Sequence, residues 1–178
     1  MKMTEDTSPE NLRKFLENDD PGIRAMGLAM AKGKKIIDAK ILIIAADDEN
    51  GENRKMASKI IDENPESYLS EALIGLKNRK KNIYEYSIKL LGLTRNNKSL
   101  IPLLDLLEDK RKLKREIAFN SISRLSNDVQ FNMKESKLIA NYIVNELEKS
   151  NWETVFGNTI QQISVPNSQL KILKNRHI

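Results

Sequence analysis

A small residue placed directly after a larger apolar one recurs along this chain at a nearly fixed interval, which limits the folds open to it. The pairs are Met26-Gly27, Met56-Ala57, Tyr86-Ser87, Ile117-Ala118 and Phe156-Gly157. Successive small residues are 30, 30, 31 and 39 positions apart by subtraction. In the first four copies, apolar or small residues follow three and four positions later, as on one helical face. Such a period is typical of stacked helical repeats.

Each repeat contains two predicted helices. The repeats occupy residues 9–33, 36–63, 65–93, 99–126 and 134–163, followed by a C-terminal tail at 164–178. Three sites, Ser8-Pro9, Asp20-Pro21 and Asn64-Pro65, place a capping side chain before a proline suited to the first helical position. The sequence therefore predicts one all-α domain over residues 1–178, a right-handed α-α superhelix of about five helical hairpins. The fifth repeat departs most from the pattern and is interpreted as a cap.

The repeat resembles HEAT repeats, a group that includes armadillo-like and bilin-lyase-like forms. In that family an Arg near the start of the second helix precedes a small residue by three positions. This chain has IRAMG at Ile23–Gly27, NRKMA at Asn53–Ala57 and KREIA at Lys114–Ala118. Tyr84 replaces the Arg in the third repeat, and the fifth repeat lacks the motif. The resemblance covers residues 9–126 and implies a helical solenoid, a fold that hosts many functions.

Two polar positions recur with the repeat. One holds Arg24, Arg54 and Arg115; the other, between the helices, holds Asp48 and Asp109, with Asn18 and Asn78 in the equivalent places. These residues could form a ladder for a ligand. The structural alternative is that the guanidinium groups bind the Asx side chains or helix-end carbonyls of adjacent repeats. We favour the structural alternative, because stacking requires the same contacts in every repeat.

Two basic runs precede second helices. They comprise Lys77, Arg79, Lys80 and Lys81 in the third repeat, and Lys110, Arg111, Lys112 and Lys114 in the fourth. In a stack the two runs are expected to merge into one positive patch at an edge that is acidic in the first two repeats. A solvated rim is the simpler interpretation. The alternative is recognition of a partner of opposite charge, or of nucleic-acid phosphate.

The second helices supply a further candidate surface, because in proteins that the repeat resembles they line the concave face. The predicted binding residues there are Lys55, Lys59, Lys89, Asn120 and Arg124. Glu85 is spaced to pair with Lys89, whereas Lys55 and Lys59 are expected to lack such a partner. Flanking positions hold Leu28, Ile88 and Phe119, for which burial is favoured over an exposed apolar strip.

Signals for catalysis are missing from the sequence. The chain has no cysteine, and its one histidine, His177, is the penultimate residue, where it is poorly placed to act as a base. None of the seven glycines belongs to a phosphate-binding motif. We therefore predict no catalytic residue, metal, cofactor or small-molecule substrate. No apolar run is long enough for a signal peptide or a membrane span, so a cytoplasmic location is expected.

These observations favour a non-enzymatic scaffold or adaptor that binds a protein partner through its concave face and charged edge. The alternative is a nucleic-acid-binding module that uses Lys80, Lys81, Arg111 and Lys112. An alkylation-repair glycosylase with this architecture would need an Asp with aromatic and Arg side chains in a basic groove. The sole tryptophan, Trp152, lies instead in the predicted cap.

Overall fold

The computed structural model describes residues 8–149, and all regular secondary structure in that range is helical. The α-helices are α1 (Pro9–Leu16), α2 (Pro21–Lys34), α3 (Ala39–Asp47), α4 (Gly51–Glu63), α5 (Leu69–Gly75), α6 (Lys81–Leu91), α7 (Leu100–Leu106), α8 (Lys112–Leu125) and α9 (Met133–Lys149). Short 3-10 helices occupy Pro65–Tyr68 and Asn97–Ser99. The all-α prediction is confirmed for this part of the chain. Several predictions fall outside the described residues. They concern the second helix of the fifth repeat, with Trp152 and the Phe156-Gly157 pair, and the tail with His177.

Two of the predicted caps form as expected. The Ser8 hydroxyl accepts a hydrogen bond from the Asn11 amide at 3.3 Å, and the Asp20 carboxylate accepts one from the Gly22 amide at 2.6 Å. Each is followed by a proline in the first helical turn. The third site differs, because the Asn64 side chain makes no capping hydrogen bond and the chain enters a 3-10 turn. The helix predicted from residue 65 is therefore shortened to α5.

The exit from α2 is unusual because no glycine is present there. Lys35 ends the helix with a left-handed backbone, φ 54°. The Ile36 amide then donates to the Ala31 carbonyl at 2.9 Å, which closes the turn. Asp38 next caps α3, its carboxylate accepting from the Lys40 amide at 2.8 Å. This turn delays α3, which begins at Ala39 rather than at residue 36.

The chain divides inside α6, between Ser87 and Ile88, into two compact units. In the N-terminal unit, α1 packs on α2 and α3 on α4, while α1, α3 and α5 contact one another in order and α2 contacts α4. First helices thus form one layer and second helices another. In the C-terminal unit, α7 packs on α8 and contacts α9. The rings of Phe119 and Tyr142 join α8 to α9, with centroids 5.3 Å apart. The superhelix stays a prediction.

The recurring small residues lie where helices approach closely. Ala57, Ser87 and Ala118 have no exposed surface. A Cβ atom added at Gly27 would lie 2.8 Å from Cβ of Phe15, a distance that real side chains do not adopt. The crossing of α1 and α2 therefore requires glycine at this position. Along residues 8–149 no helix is both long enough and apolar enough to cross a membrane.

Candidate binding surfaces

The turns between paired helices share one local geometry. Each Asx side chain at the recurring position accepts a hydrogen bond from the backbone amide two residues later, which forms an Asx turn. The distances from Asn18, Asp48, Asn78 and Asp109 to these amides are 2.9, 2.8, 2.9 and 2.9 Å. Asn and Asp are interchangeable in this role, because only one side-chain oxygen is needed.

The recurring arginines bind the same turns. A terminal guanidinium nitrogen of Arg24 donates to the carbonyls of Asn18 and Asp19, both at 2.8 Å. Arg115 does the same to Asp109, at 2.9 Å, and to Lys110, at 3.2 Å. Arg54 likewise donates to the carbonyls of Asp48 and Glu49. In all three cases the carbonyls lie six and five residues earlier, so each arginine ties its helix to the turn of its own repeat.

Arg24 also joins consecutive repeats. It binds both carboxylate oxygens of Asp48, at 2.7 and 3.0 Å, and the Glu49 carboxylate at 3.2 Å. Only 3% of the Asp48 side chain is exposed. Burial acts to raise the pKa of Asp48, but the hydrogen bonds from Arg24 and from the Asn50 amide outweigh it and lower the pKa. The pair stays ionised and fixes α2 against the end of α3.

The third repeat, which lacks the arginine, is held differently. Tyr84 is buried in its place. Asp47, at the end of α3, accepts hydrogen bonds from Lys80 at 3.0 Å and from the Asn82 side chain at 2.9 Å. The bond from Lys80, followed by that from Asn82, lowers the pKa of Asp47. A carboxylate of the second repeat thus anchors the start of α6.

Most of the predicted basic runs lie at the surface, and four of their exposed cations face carboxylates. Lys80 binds Asp47, and Lys81 lies 3.8 Å from Glu85. Arg111 binds Asp109 at 3.0 Å, and Lys112 lies 3.7 Å from Glu116. One prediction is wrong: Lys114 is buried within α8, 3.7 Å from Asp109, because it lies on the inner face of the helix. That the two runs form a single patch stays a prediction.

The acidic edge of the first two repeats is also largely paired internally. Asp47 and Asp48 bind the residues described above, and Glu17 binds Lys40 at 2.8 Å. A groove of about 500 Å³ runs along this edge, past Leu16 and Ile43. Among the described residues, no cluster of acidic or histidine side chains is arranged to hold a metal ion.

All five predicted binding residues on second helices, Lys55, Lys59, Lys89, Asn120 and Arg124, are exposed. Their expected pairing was wrong in two respects. Lys55 binds Glu52 at 2.8 Å, since residues three apart also meet on a helix. Glu85 pairs with Lys81, one turn earlier, rather than with Lys89. Leu28, Ile88 and Phe119 are buried, as favoured, and form no exposed strip.

Sequence reasoning missed the outer face of α2. Met26 is 56% exposed, and Gly22, Ala29 and Gly33 on the same face are exposed too. Between Pro21 and Ala31 the only charged residue is Arg24, which is buried. The sequence carried this signal, but Met26 was interpreted only as the neighbour of a recurring small residue.

The second helices α2 and α4 pack side by side and present equivalent positions with different chemistry. Where α2 has Ala25 and Ala29, α4 has Lys55 and Lys59. Met56 of α4, equivalent to Met26, is partly exposed. The two helices together thus form an uncharged strip beside two exposed lysines, which we name the α2/α4 face.

Comparison of the chain with protein-family models, with curated proteins and with solved structures gives no match.

Proposed function

We propose that this chain is a non-enzymatic helical-repeat scaffold that binds a protein partner through the α2/α4 face. The observation that carries this proposal is the exposed outer face of α2, which has no charge although 31% of the chain's residues are charged. Exposed apolar side chains grouped on one face mark contact sites more often than scattered ones do. The layered packing of the N-terminal unit supports a stacked, solenoid-like scaffold that offers such a face ready-formed.

The chemistry of the face indicates the kind of partner segment. Small residues at Gly22, Ala29 and Gly33 let another backbone approach closely, while the flexible thioether of Met26 can adapt to varied apolar side chains. Lys55 and Lys59 flank this strip. The Lys55 ion pair with Glu52 is well exposed, so it holds Lys55 only weakly. We therefore propose an amphipathic helix as partner, with apolar residues against α2 and acidic residues toward α4.

The test compares two methionine substitutions. Met26→Glu places a charge in the uncharged strip, whereas Met133→Glu places one at an even more exposed methionine, 70%, at the start of α9. Tagged wild-type protein and both variants would be used for affinity purification, and each retained protein would be purified and titrated directly. The proposal predicts a partner that binds wild type and Met133→Glu alike but loses at least about tenfold in affinity for Met26→Glu. Equal affinity for both variants would refute the α2/α4 face.

A charge-reversal variant tests the acidic side of the partner. The double variant Lys55→Glu, Lys59→Glu is expected to slow association and to reduce its dependence on salt, because rim charges act mainly on the encounter. Its helical circular-dichroism signal should match that of wild type. An association rate that does not respond to these changes would show that the partner carries no acidic flank there.

Nucleic-acid binding through Lys80, Lys81, Arg111 and Lys112 has weaker support, because each of these cations already faces a carboxylate. Their side chains nevertheless remain 59–69% exposed. This alternative predicts retention on DNA or RNA that falls steeply with salt concentration. If the protein passed through a DNA column and an RNA column without retention at low ionic strength, nucleic-acid binding would be eliminated.

A further inference from the structure

A cavity of about 310 Å³ lies at the carboxyl ends of α2 and α4, away from the outer face of these helices. Its apolar wall comes from Ala31, Ile36, Ile37, Ile60 and the ring of Tyr68, and the rest of the lining comes from Lys32, Lys35, Glu63, Asn64 and Ser67. The left-handed turn at the end of α2 leads directly into Ile36 and Ile37, which line this space. The volume is at the lower end of the range for ligand pockets, about 300–1,000 Å³.

Some of the polar side chains that line the cavity have a partner among the described residues, and others have none. Lys32 binds Glu63 across 2.6 Å, so this lysine and the one carboxylate of the lining neutralise each other. The Lys35 ammonium has no partner among the described residues. Within residues 8–149, the side chains of Asn64 and Ser67 likewise make no hydrogen bond. Lys35, Asn64 and Ser67 can all donate hydrogen bonds, and Lys35 carries the only charge among these three.

Tyr68 lines the cavity with its ring. Its side chain is 2% exposed, yet no described residue forms a hydrogen bond with its hydroxyl. Burial, reinforced by the nearby Glu71, raises the pKa of Tyr68, so the hydroxyl stays protonated as a donor. The hydroxyl oxygen is closed off, so Tyr68 contributes its ring to the apolar wall and no donor to a ligand.

We propose that this cavity binds a small apolar carboxylic acid, whose chain lies against Ile36, Ile60 and Tyr68 and whose carboxylate pairs with Lys35. The apolar walls exclude a highly charged ligand such as a nucleotide. A cationic ligand would meet Lys35 without an uncommitted carboxylate to offset it. Asn64 and Ser67 add donors at the rim that suit the two oxygens of a carboxylate.

The experiment uses three probes of one length that differ in charge: octanoate, 1-octanol and octylammonium. Each would be titrated into isotopically labelled protein, and amide shifts would be followed by NMR. Octanoate is expected to bind about twofold to fivefold more tightly than octanol, the gain from one exposed ion pair. Shifts should centre on Ala31, Ile36 and Ile60, and octylammonium should bind most weakly. Equal affinities for octanoate and octanol, or shifts centred elsewhere, would overturn the proposal.

Lys35→Gly is the decisive variant, because it removes the ammonium and also relieves the positive φ. Loss of binding therefore cannot be attributed to unfolding. Its affinity for octanoate should fall to that for octanol, while octanol binding stays unchanged. Lys14→Gln, which removes an exposed lysine of α1, should keep the wild-type preference. A preference for octanoate that survives in Lys35→Gly would also overturn the proposal. The Met26→Glu test of partner binding concerns a different surface, so the two proposals can fail separately.

Discussion

Arg24 donates hydrogen bonds to both carboxylate oxygens of Asp48 in the next repeat, at 2.7 and 3.0 Å. It also donates to the carbonyls of the turn in its own repeat. Arg54 occupies the equivalent place one repeat later and holds only carbonyls. The same residue thus has two energetic roles. One arginine neutralises a buried charge, and the other ties together a turn that is open to water.

Replacing each of these arginines by alanine should show the difference. Arg24→Ala leaves the Asp48 carboxylate buried without its counter-charge, so the free energy of unfolding should fall by about 3 kcal/mol. Arg54→Ala removes exposed hydrogen bonds and should cost about 1 kcal/mol or less. Urea titration followed by circular dichroism measures both. Equal losses would contradict the separate role of Arg24.

Asp109 should make stability depend on pH in the acid range. The hydrogen bond from Arg111 outweighs partial burial and lowers the pKa of Asp109 to about 2. A carboxyl whose folded pKa is below its unfolded value of about 3.9 stabilises the fold fully above that value. This contribution is lost as the pH falls from about 4 toward 2.

Asp109→Asn provides a matched comparison, because asparagine already forms the same Asx turn at Asn18 and Asn78. The substitution removes the charge and keeps the turn. Urea titrations between about pH 4 and 2 should show a smaller change in unfolding free energy for the variant than for wild type. Parallel profiles would mean that Asp109 contributes nothing to the acid sensitivity.

Gly75 and Ser87 should be energetically coupled. A Cβ atom at Gly75 would lie 2.0 Å from the Ser87 hydroxyl, which donates to the Ile83 carbonyl at 2.8 Å. Gly75→Ala should therefore cost about 1–3 kcal/mol of unfolding free energy. In a Ser87→Ala background the worst overlap disappears, and the loss should shrink by at least about 1 kcal/mol. A double-mutant cycle by thermal and urea unfolding measures the coupling, and simple additivity would contradict the contact.

Lys35→Gly should stabilise the protein. Lys35 adopts φ 54°, a conformation that glycine accepts without the penalty paid by other residues. The expected gain in unfolding free energy is about 0.5–1 kcal/mol. Lys34→Gly, one position earlier and inside α2, should instead destabilise by a similar amount. If both glycines lowered the melting temperature, the left-handed turn would not form in solution.

The parts of the structure that the sequence predicted well depend on neighbours along the chain. The Asp20 cap needs only the two or three residues after it, and the Asx turn at Asp48 likewise closes over two residues. Burial of Ala57 and Ala118 followed from their spacing, since a helix repeats its inner face at fixed intervals. Residue type and spacing determine such features almost completely.

The features that the sequence did not predict concern whether neighbouring helices cover a side chain. Met26 and Met56 have the same repeat position, yet Met26 is 56% exposed and Met56 is more covered. Lys114 follows a run of surface cations but points inward, because one further step of 100° along the helix changes the face. The left-handed turn at Lys35, and with it the cavity, gave no sequence signal, since lysine rarely adopts that conformation. These outcomes depend on neighbouring helices, and local patterns do not encode them.

The Asx turns, and the arginines that bind them, affect how readily such a chain can gain or lose whole repeats. The hydrogen bonds that close the Asx turns, and those from the arginines to the turn carbonyls, join residues at most six positions apart, as between Arg115 and the Asp109 carbonyl. A block of about thirty residues that is copied or removed whole takes its complete turn chemistry with it. Arg24 also needs the next block, because its carboxylate partner, Asp48, belongs there. Gain or loss of a repeat is therefore expected to be tolerated least where a carboxylate of one block binds a neighbouring block, as at Arg24–Asp48 and Asp47–Lys80.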